Sequence, residues 1–101
     1  MFLVVGTHLI KSGRLDEAKE RLDANGDRMR ASSGFVFRYR TVAAENDHKL
    51  VTITGWDDEP SFSAYREASR GAGPAGDTPY VEVVQDFYNL EAEQLAPESA
   101  V

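Results

Sequence analysis

An α+β fold of ferredoxin-like type is predicted by three features of this 101-residue chain. Stretches with strand alternation and stretches with helical spacing follow one another as strand, helix, strand, strand, helix, strand. That βαββαβ order belongs to one antiparallel sheet with both helices on one face. The second feature is the segment Lys49 to Arg70, where an alternating strand ends in Trp56, turns through acids and a proline, and becomes a short amphipathic helix. The third is that strands one, three and four are apolar on both faces, although the helices can cover only one. The uncovered face needs a partner, and a second copy packed sheet to sheet is expected.

The first strand, Phe2 to Ile10, places Phe2, Val4, Gly6, His8 and Ile10 on one face and Leu3, Val5, Thr7 and Leu9 on the other. Gly6 weakens a strand interior, so it marks a bulge or a close approach by another group. Lys11 to Gly13 form a turn. A helix follows over about Arg14 to Ala31, with Leu15, Ala18, Leu22 and Met29 as its inner stripe. Asn25-Gly26 are poor helix formers on the buried side. They predict a kink or break or, alternatively, room left by Gly26 and an amide offered by Asn25 to a ligand.

The second strand, Phe35 to Ala43, alternates Phe35, Phe37, Tyr39 and Thr41 with Val36, Arg38, Arg40 and Val42, and its two arginines predict an edge or a face that meets acids. A polar loop, Ala44 to His48, then closes a hairpin. In the third strand, Leu50, Thr52, Thr54 and Trp56 oppose Val51, Ile53 and Gly55. Asp57 or Asp58 can cap the second helix, which tolerates Pro60 in its first turn and shows Phe62 and Tyr65 on one side. Residues 71 to 79, GAGPAGDTP, read as a lid or disordered loop. Their G-x-G-x-x-G spacing is no dinucleotide site, because it follows a helix and opens a strand. The fourth strand spans Tyr80 to Leu90, so residues 1 to 90 form one domain and 91 to 101 a frayed tail.

The chain has no Cys, which excludes disulfides and thiolate chemistry. Its formal charge of −6 is uneven: residues 71 to 101 hold six acids and no Lys or Arg. That segment repels phosphate backbones, so nucleic-acid binding is not expected. With no basic leader and no apolar run of membrane-spanning length, a cytoplasmic protein without a membrane partner is expected. Glu82 and Asp86 share one face of the fourth strand and can pair with Arg38 and Arg40 of a second copy.

The opening strand followed by Ser12-Gly13, the helix closed by Ser33-Gly34, and the strand ending Gly55-Trp56-Asp57-Asp58-Glu59 before a helix with Phe62 and Tyr65 resemble the antibiotic biosynthesis monooxygenase-like group. The resemblance covers about residues 2 to 90 and implies a dimeric α+β barrel. Relatives of this kind include cofactor-independent oxygenases of aromatic polyketides, haem-degrading enzymes and polyketide cyclases. The haem-degrading pattern has an Asn where this chain has Gly6, a Trp at Tyr65, and a His in a segment that here holds none. The quinone-forming oxygenases share Trp56, but Thr52 and Phe62 replace their Asn and Tyr.

Oxygenation without a cofactor requires a base, an oxyanion donor and a dry cavity. The candidates are His8 as base, Trp56 and Tyr65 to hold and hydrogen-bond a planar ring, and Gly6, Asn25, Thr52, Thr54 and Phe62 to line the substrate site. Two histidines far apart in sequence predict no metal, and no cofactor is expected. The expected activity is a cofactor-independent monooxygenase acting on an aromatic polyketide or quinol-type molecule. The alternatives are a cyclase or isomerase with His8 as base, and a non-catalytic small-molecule-binding protein whose aromatics are all core.

Overall fold

A computed structural model describes residues 1–71 and 76–97. The elements are β1 (Phe2–Ile10), α1 (Leu15–Arg30), β2 (Phe35–Ala43), β3 (Asn46–Trp56), α2 (Glu59–Ala68) and β4 (Tyr80–Asn89). They form the expected antiparallel sheet, in the order β2-β3-β1-β4. The expectation of a lid at 71–79 and a tail at 91–101 falls partly on 72–75 and 98–101, outside the described residues. Residues 91–97 are exposed and carry no regular structure.

β1 is central because it is apolar on both faces, and its burial alternates along its whole length. The buried face carries the core in two clusters. Phe2, Val4, Trp56 and Phe62 form one, with Met29, Phe35 and Tyr65 packed against it. Ile10, Ala18, Leu22 and Leu50 form the other, with Leu15 and Tyr80 against it. Residues from α1 and α2 therefore meet the same side of the sheet.

α1 runs unbroken through Asn25-Gly26. The alternative of a kink fails because Gly26 is buried where a Cβ would press on Arg38, 3.2 Å from Cδ and 3.3 Å from Nε. Its missing side chain makes room for a neighbour and leaves the helix intact. At α2, Asp58 is the cap, accepting a hydrogen bond from the Ser61 N–H at 2.9 Å, with Pro60 in the first turn.

Two expectations at β2 are corrected, and its arginines lie, as expected, on an edge strand that meets an acid. Phe35 faces Trp56 but Phe37 faces Gly55, so a bulge at Val36 moves Phe35 to the helix side and leaves Phe37, Tyr39 and Thr41 on the open side. The polar loop shrinks to a turn at Ala44 and Glu45, because β3 already begins at Asn46. Arg40 binds Asp23 of α1 at 2.6 Å, and Arg38 donates to Thr54. Glu82 and Asp86 lie opposite Leu9 and Val5 on the other face of the sheet, so they do not share a side with the arginines.

The end of the 71–79 segment is tied down. Asp77 binds Lys11 at 3.3 Å and Arg14 at 2.7 Å, and the Lys11 N–H donates to the Pro79 carbonyl at 2.8 Å. Among the described residues, no helix is long and apolar enough to cross a membrane.

Gly34 connects α1 to β2 with φ +86°, and a Cβ there would lie 2.2 Å from Ser61 Oγ. Gly34→Ala is expected to lower stability by about 1–3 kcal/mol, from left-handed strain and overlap together. Urea unfolding measures it, and an unchanged midpoint would mean that the turn is not held in this conformation.

Candidate functional site

The antiparallel register of β1 and β3 sets Phe2 opposite Trp56, Val4 opposite Thr54, Gly6 opposite Thr52 and His8 opposite Leu50. The two apolar clusters occupy the ends of this double row. Between them Gly6, His8, Thr52 and Thr54 make a polar interval that apolar side chains do not fill. β4 adds Gln85 opposite Gly6, β2 adds Arg38 opposite Thr54, and the helices close the top with Leu22, Asn25, Met29 and Phe62.

The result is a small compartment of about 70 Å³. Of the residues expected from sequence, His8, Trp56, Gly6, Asn25, Thr52, Thr54 and Phe62 all line it. Tyr65 lies outside, in an adjoining cleft of about 270 Å³. Asn25, Met29, Phe62 and Gln85 border both spaces.

Gly6 is in regular pairing, so the close-approach reading applies to it. A Cβ at Gly6 would sit 2.9 Å from both His8 Cε1 and Thr52 Oγ1. The glycine leaves the His8 ring its place, and Tyr80 packs beside that ring with centroids 5.3 Å apart. Trp56 is fully buried and ringed by aromatics, edge-on to Phe35 at 5.8 Å and tilted against Tyr65 at 5.5 Å and Phe62 at 6.1 Å. It is both core and cavity wall.

Two buried polar atoms have no hydrogen-bond partner, His8 Nδ1 and Trp56 Nε1. An unsatisfied buried group of this kind costs about 1–3 kcal/mol, so these two atoms call for a partner from water or from a ligand. Burial pushes the His8 imidazole below its ordinary value of 6.5. The Arg38 cation adds to this, and the Leu50 and Gly6 carbonyls oppose it. His8 is therefore a neutral base at neutral pH.

Arg38 is the residue that sequence reading placed outside the site. Its guanidinium donates to Thr54 Oγ1 at 2.8 Å, with Met29 Sδ at 3.4 Å and the Leu22 carbonyl at 3.5 Å. Burial pulls its pKa down against the attraction of Tyr65, Asp23 and Tyr80. Its signal in the sequence was indirect: a helix glycine on the buried stripe requires a long side chain opposite. Gln85 was missed as well, since nothing local distinguishes it on β4.

A wider groove of about 630 Å³ runs between α1 and β2. It is an open trough whose charges largely pair with each other, Arg40 with Asp23 at 2.6 Å and Arg30 with Asp27 at 4.0 Å. The smaller, walled compartment is the one that gathers the candidate residues. No group of three or more His, Asp or Glu able to hold a metal occurs among the described residues.

The buried His8 gives a pH signature. Its folded-state pKa lies below the unfolded value of 6.5, so the unfolded chain takes up a proton that the folded chain refuses. Stability is full above pH 6.5 and falls as pH drops, until the folded-state pKa is reached. The fall is at most about 1.4 kcal/mol per pH unit, and His8→Asn is expected to flatten it. Urea unfolding between about pH 8 and about pH 5 tests this; an equal slope in the variant would assign the titration to another group.

Known structures share the fold. The haem-degrading protein MhuD of Mycobacterium tuberculosis superposes with a TM-score of 0.76 at 12% identity, covering 93% of this chain and 99% of its own. SnoaB, a cofactor-independent oxygenase from Streptomyces nogalater, gives 0.68 at 17% identity, covering 96% and 97%. A protein from Pseudomonas aeruginosa gives 0.73 at 18% identity, covering 90% and 94%. These likenesses establish a shared fold. No curated protein sequence matches. The family model described as antibiotic biosynthesis monooxygenase matches residues 1–70. With that match over more than half its length, the chain belongs to the antibiotic biosynthesis monooxygenase family.

Proposed function

We propose that this protein is a cofactor-independent monooxygenase, an oxidoreductase acting on a quinol-type or polyketide-derived aromatic molecule. The observation that carries the reading is one small compartment whose wall holds a neutral imidazole with an unpartnered Nδ1, His8, and an unpartnered indole N–H, Trp56. A base and an oxyanion donor are what such chemistry requires from a protein. The substrate ring occupies the outer cleft against Phe62 and Tyr65, and its oxygen-bearing edge enters the compartment, where Gly6, Asn25, Thr52 and Thr54 form the walls.

In the reaction, a ring methylene and dioxygen become a carbonyl and water. His8 takes a proton from the methylene, leaving a carbanion stabilised by the adjacent phenol rings. The carbanion gives one electron to dioxygen, and the two radicals combine as a peroxide anion that recovers the proton from His8. Loss of water from the hydroperoxide leaves the carbonyl. The developing negative charge on the substrate oxygen accepts the Trp56 N–H.

Haem, which MhuD degrades, does not fit these residues. Its iron lies at the ring centre, so reaching His8 would bring the whole macrocycle into about 70 Å³, whereas drug-sized ligands already occupy pockets of roughly 300 Å³ or more.

The test is a hydroxyanthrone-type substrate with and without dioxygen. Uptake of one dioxygen per quinone formed is expected, with kcat falling by about a hundredfold or more in His8→Gln. Turnover that persists without oxygen would replace the monooxygenase with a cyclase or isomerase. No turnover at all would leave a binding protein.

We propose further that the active form is a homodimer. The sheet face away from the helices exposes apolar side chains, among them Tyr39 at 62%, Tyr88 at 53% and Val84 at 42%. That patch is of a kind monomers seldom leave in water. Light scattering at micromolar concentration is expected to give twice the chain mass, and Tyr39→Asp is expected to shift it toward the monomer. A stable wild-type monomer would rule the assembly out.

A further inference from the structure

Arg38 is a half-buried cation without a counter-ion. Its acceptors are a threonine hydroxyl, a carbonyl at 3.5 Å and a thioether, and among the described residues no carboxylate forms a salt bridge with it. Asp23, the acid that attracts it, is taken by two bonds from Arg40 at 2.6 and 3.3 Å. Removing a charge from water without a partner is unfavourable, yet the fold provides for it. Gly26 lacks the Cβ that would push the Arg38 stem away, and Thr54 orients one arm of the guanidinium.

Arg38 lines both the open groove and the compartment, whose wall also holds the unpaired Trp56 Nε1 and His8 Nδ1. The indole nitrogen can only donate, and a guanidinium can only donate. Asn25 spends its carbonyl on Arg28, which leaves its amide hydrogens. No acidic side chain lines the space. The wall therefore carries one uncompensated positive charge beside the Trp56 donor, while its acceptors, on His8, Thr52, Thr54 and Gln85, are all neutral. A cation is repelled there, and a neutral apolar group leaves the donors unpaired.

We infer that the compartment selects ligands carrying an anionic oxygen, either a carboxylate or an ionised phenol, and that Arg38 is the specificity-determining residue that receives it. The inference rests on the compartment being the substrate site. It goes beyond the monooxygenase reading by naming the charge that the substrate presents. A bidentate grip is open to a carboxylate, while a phenolate accepts from Arg38 and Trp56 together.

The sole tryptophan of the chain lies in this wall, so its fluorescence reports occupancy. para-Nitrobenzoate is expected to quench Trp56 at concentrations about tenfold lower than its methyl ester, from one charge-assisted contact. Arg38→Met removes that preference, and Arg38→Lys retains part of it. para-Nitrophenol separates the two sources of anionic oxygen: a rise in its phenolate absorbance on binding under acidic conditions assigns the ionised phenol, and tight benzoate binding without that rise assigns the carboxylate. Equal quenching by acid and ester, no quenching by either, or a preference that survives Arg38→Met overturns the inference. If Arg38→Met does not fold, the wild-type contrast and Arg38→Lys decide. The measurement reads binding alone, so it can succeed where oxygen uptake fails, and the reverse.

Discussion

The pairing of β1 with β3 is the constraint on which the molecule depends. One residue of slip would send Trp56, Thr54 and Thr52 to the open face and leave the helices packed on Val51, Ile53 and Gly55. Two apolar clusters lock the register, one at each end of the paired strands. Because the clusters bear the packing, the interval between them is free to be polar and incompletely filled. The compartment is thus a by-product of where the hydrophobic side chains stop.

Glycine is used twice in the same way around that interval. Gly6 on β1 leaves space for the His8 ring, and Gly26 on α1 leaves space for the Arg38 stem. Each is a poor choice for its own element, since strand and helix interiors both lose stability with glycine. The local loss comes with room for a large polar side chain, His8 in one case and Arg38 in the other. Gly6 lines the compartment and Gly26 lines the groove beside it, and Arg38 borders both spaces.

Electrostatics inside the compartment act in one direction. Burial and, after it, the Arg38 cation keep His8 neutral, and the same low-dielectric surroundings strengthen any hydrogen bond that Trp56 makes to a ligand. Near the surface the charges behave differently. Arg40 with Asp23, and Lys11 and Arg14 with Asp77, hold the rims of the fold in solvent, where such pairs contribute little energy individually but help to set position.

Element order, strand faces and the α2 cap were legible in the sequence because they follow from alternation and from local side-chain chemistry at Asp58 and Pro60. Most of the site was legible for the same reason: Gly6, His8, Thr52, Thr54 and Trp56 lie on the inward faces of two strands whose period is visible in the residues themselves. What only the tertiary structure decided was anything set by a pairing between distant segments. The bulge at Val36 turns Phe35 inward, and no local residue announces it. Arg38 becomes a cavity residue because β2 lies beside β3 with Thr54 opposite and Gly26 above, a meeting of three segments. Tyr65 falls in the outer cleft because the path of α2 over the sheet is fixed by Phe62 packing on Phe2 and Trp56. Periodicity assigns a side chain to a face, but which neighbours share that face depends on long-range packing.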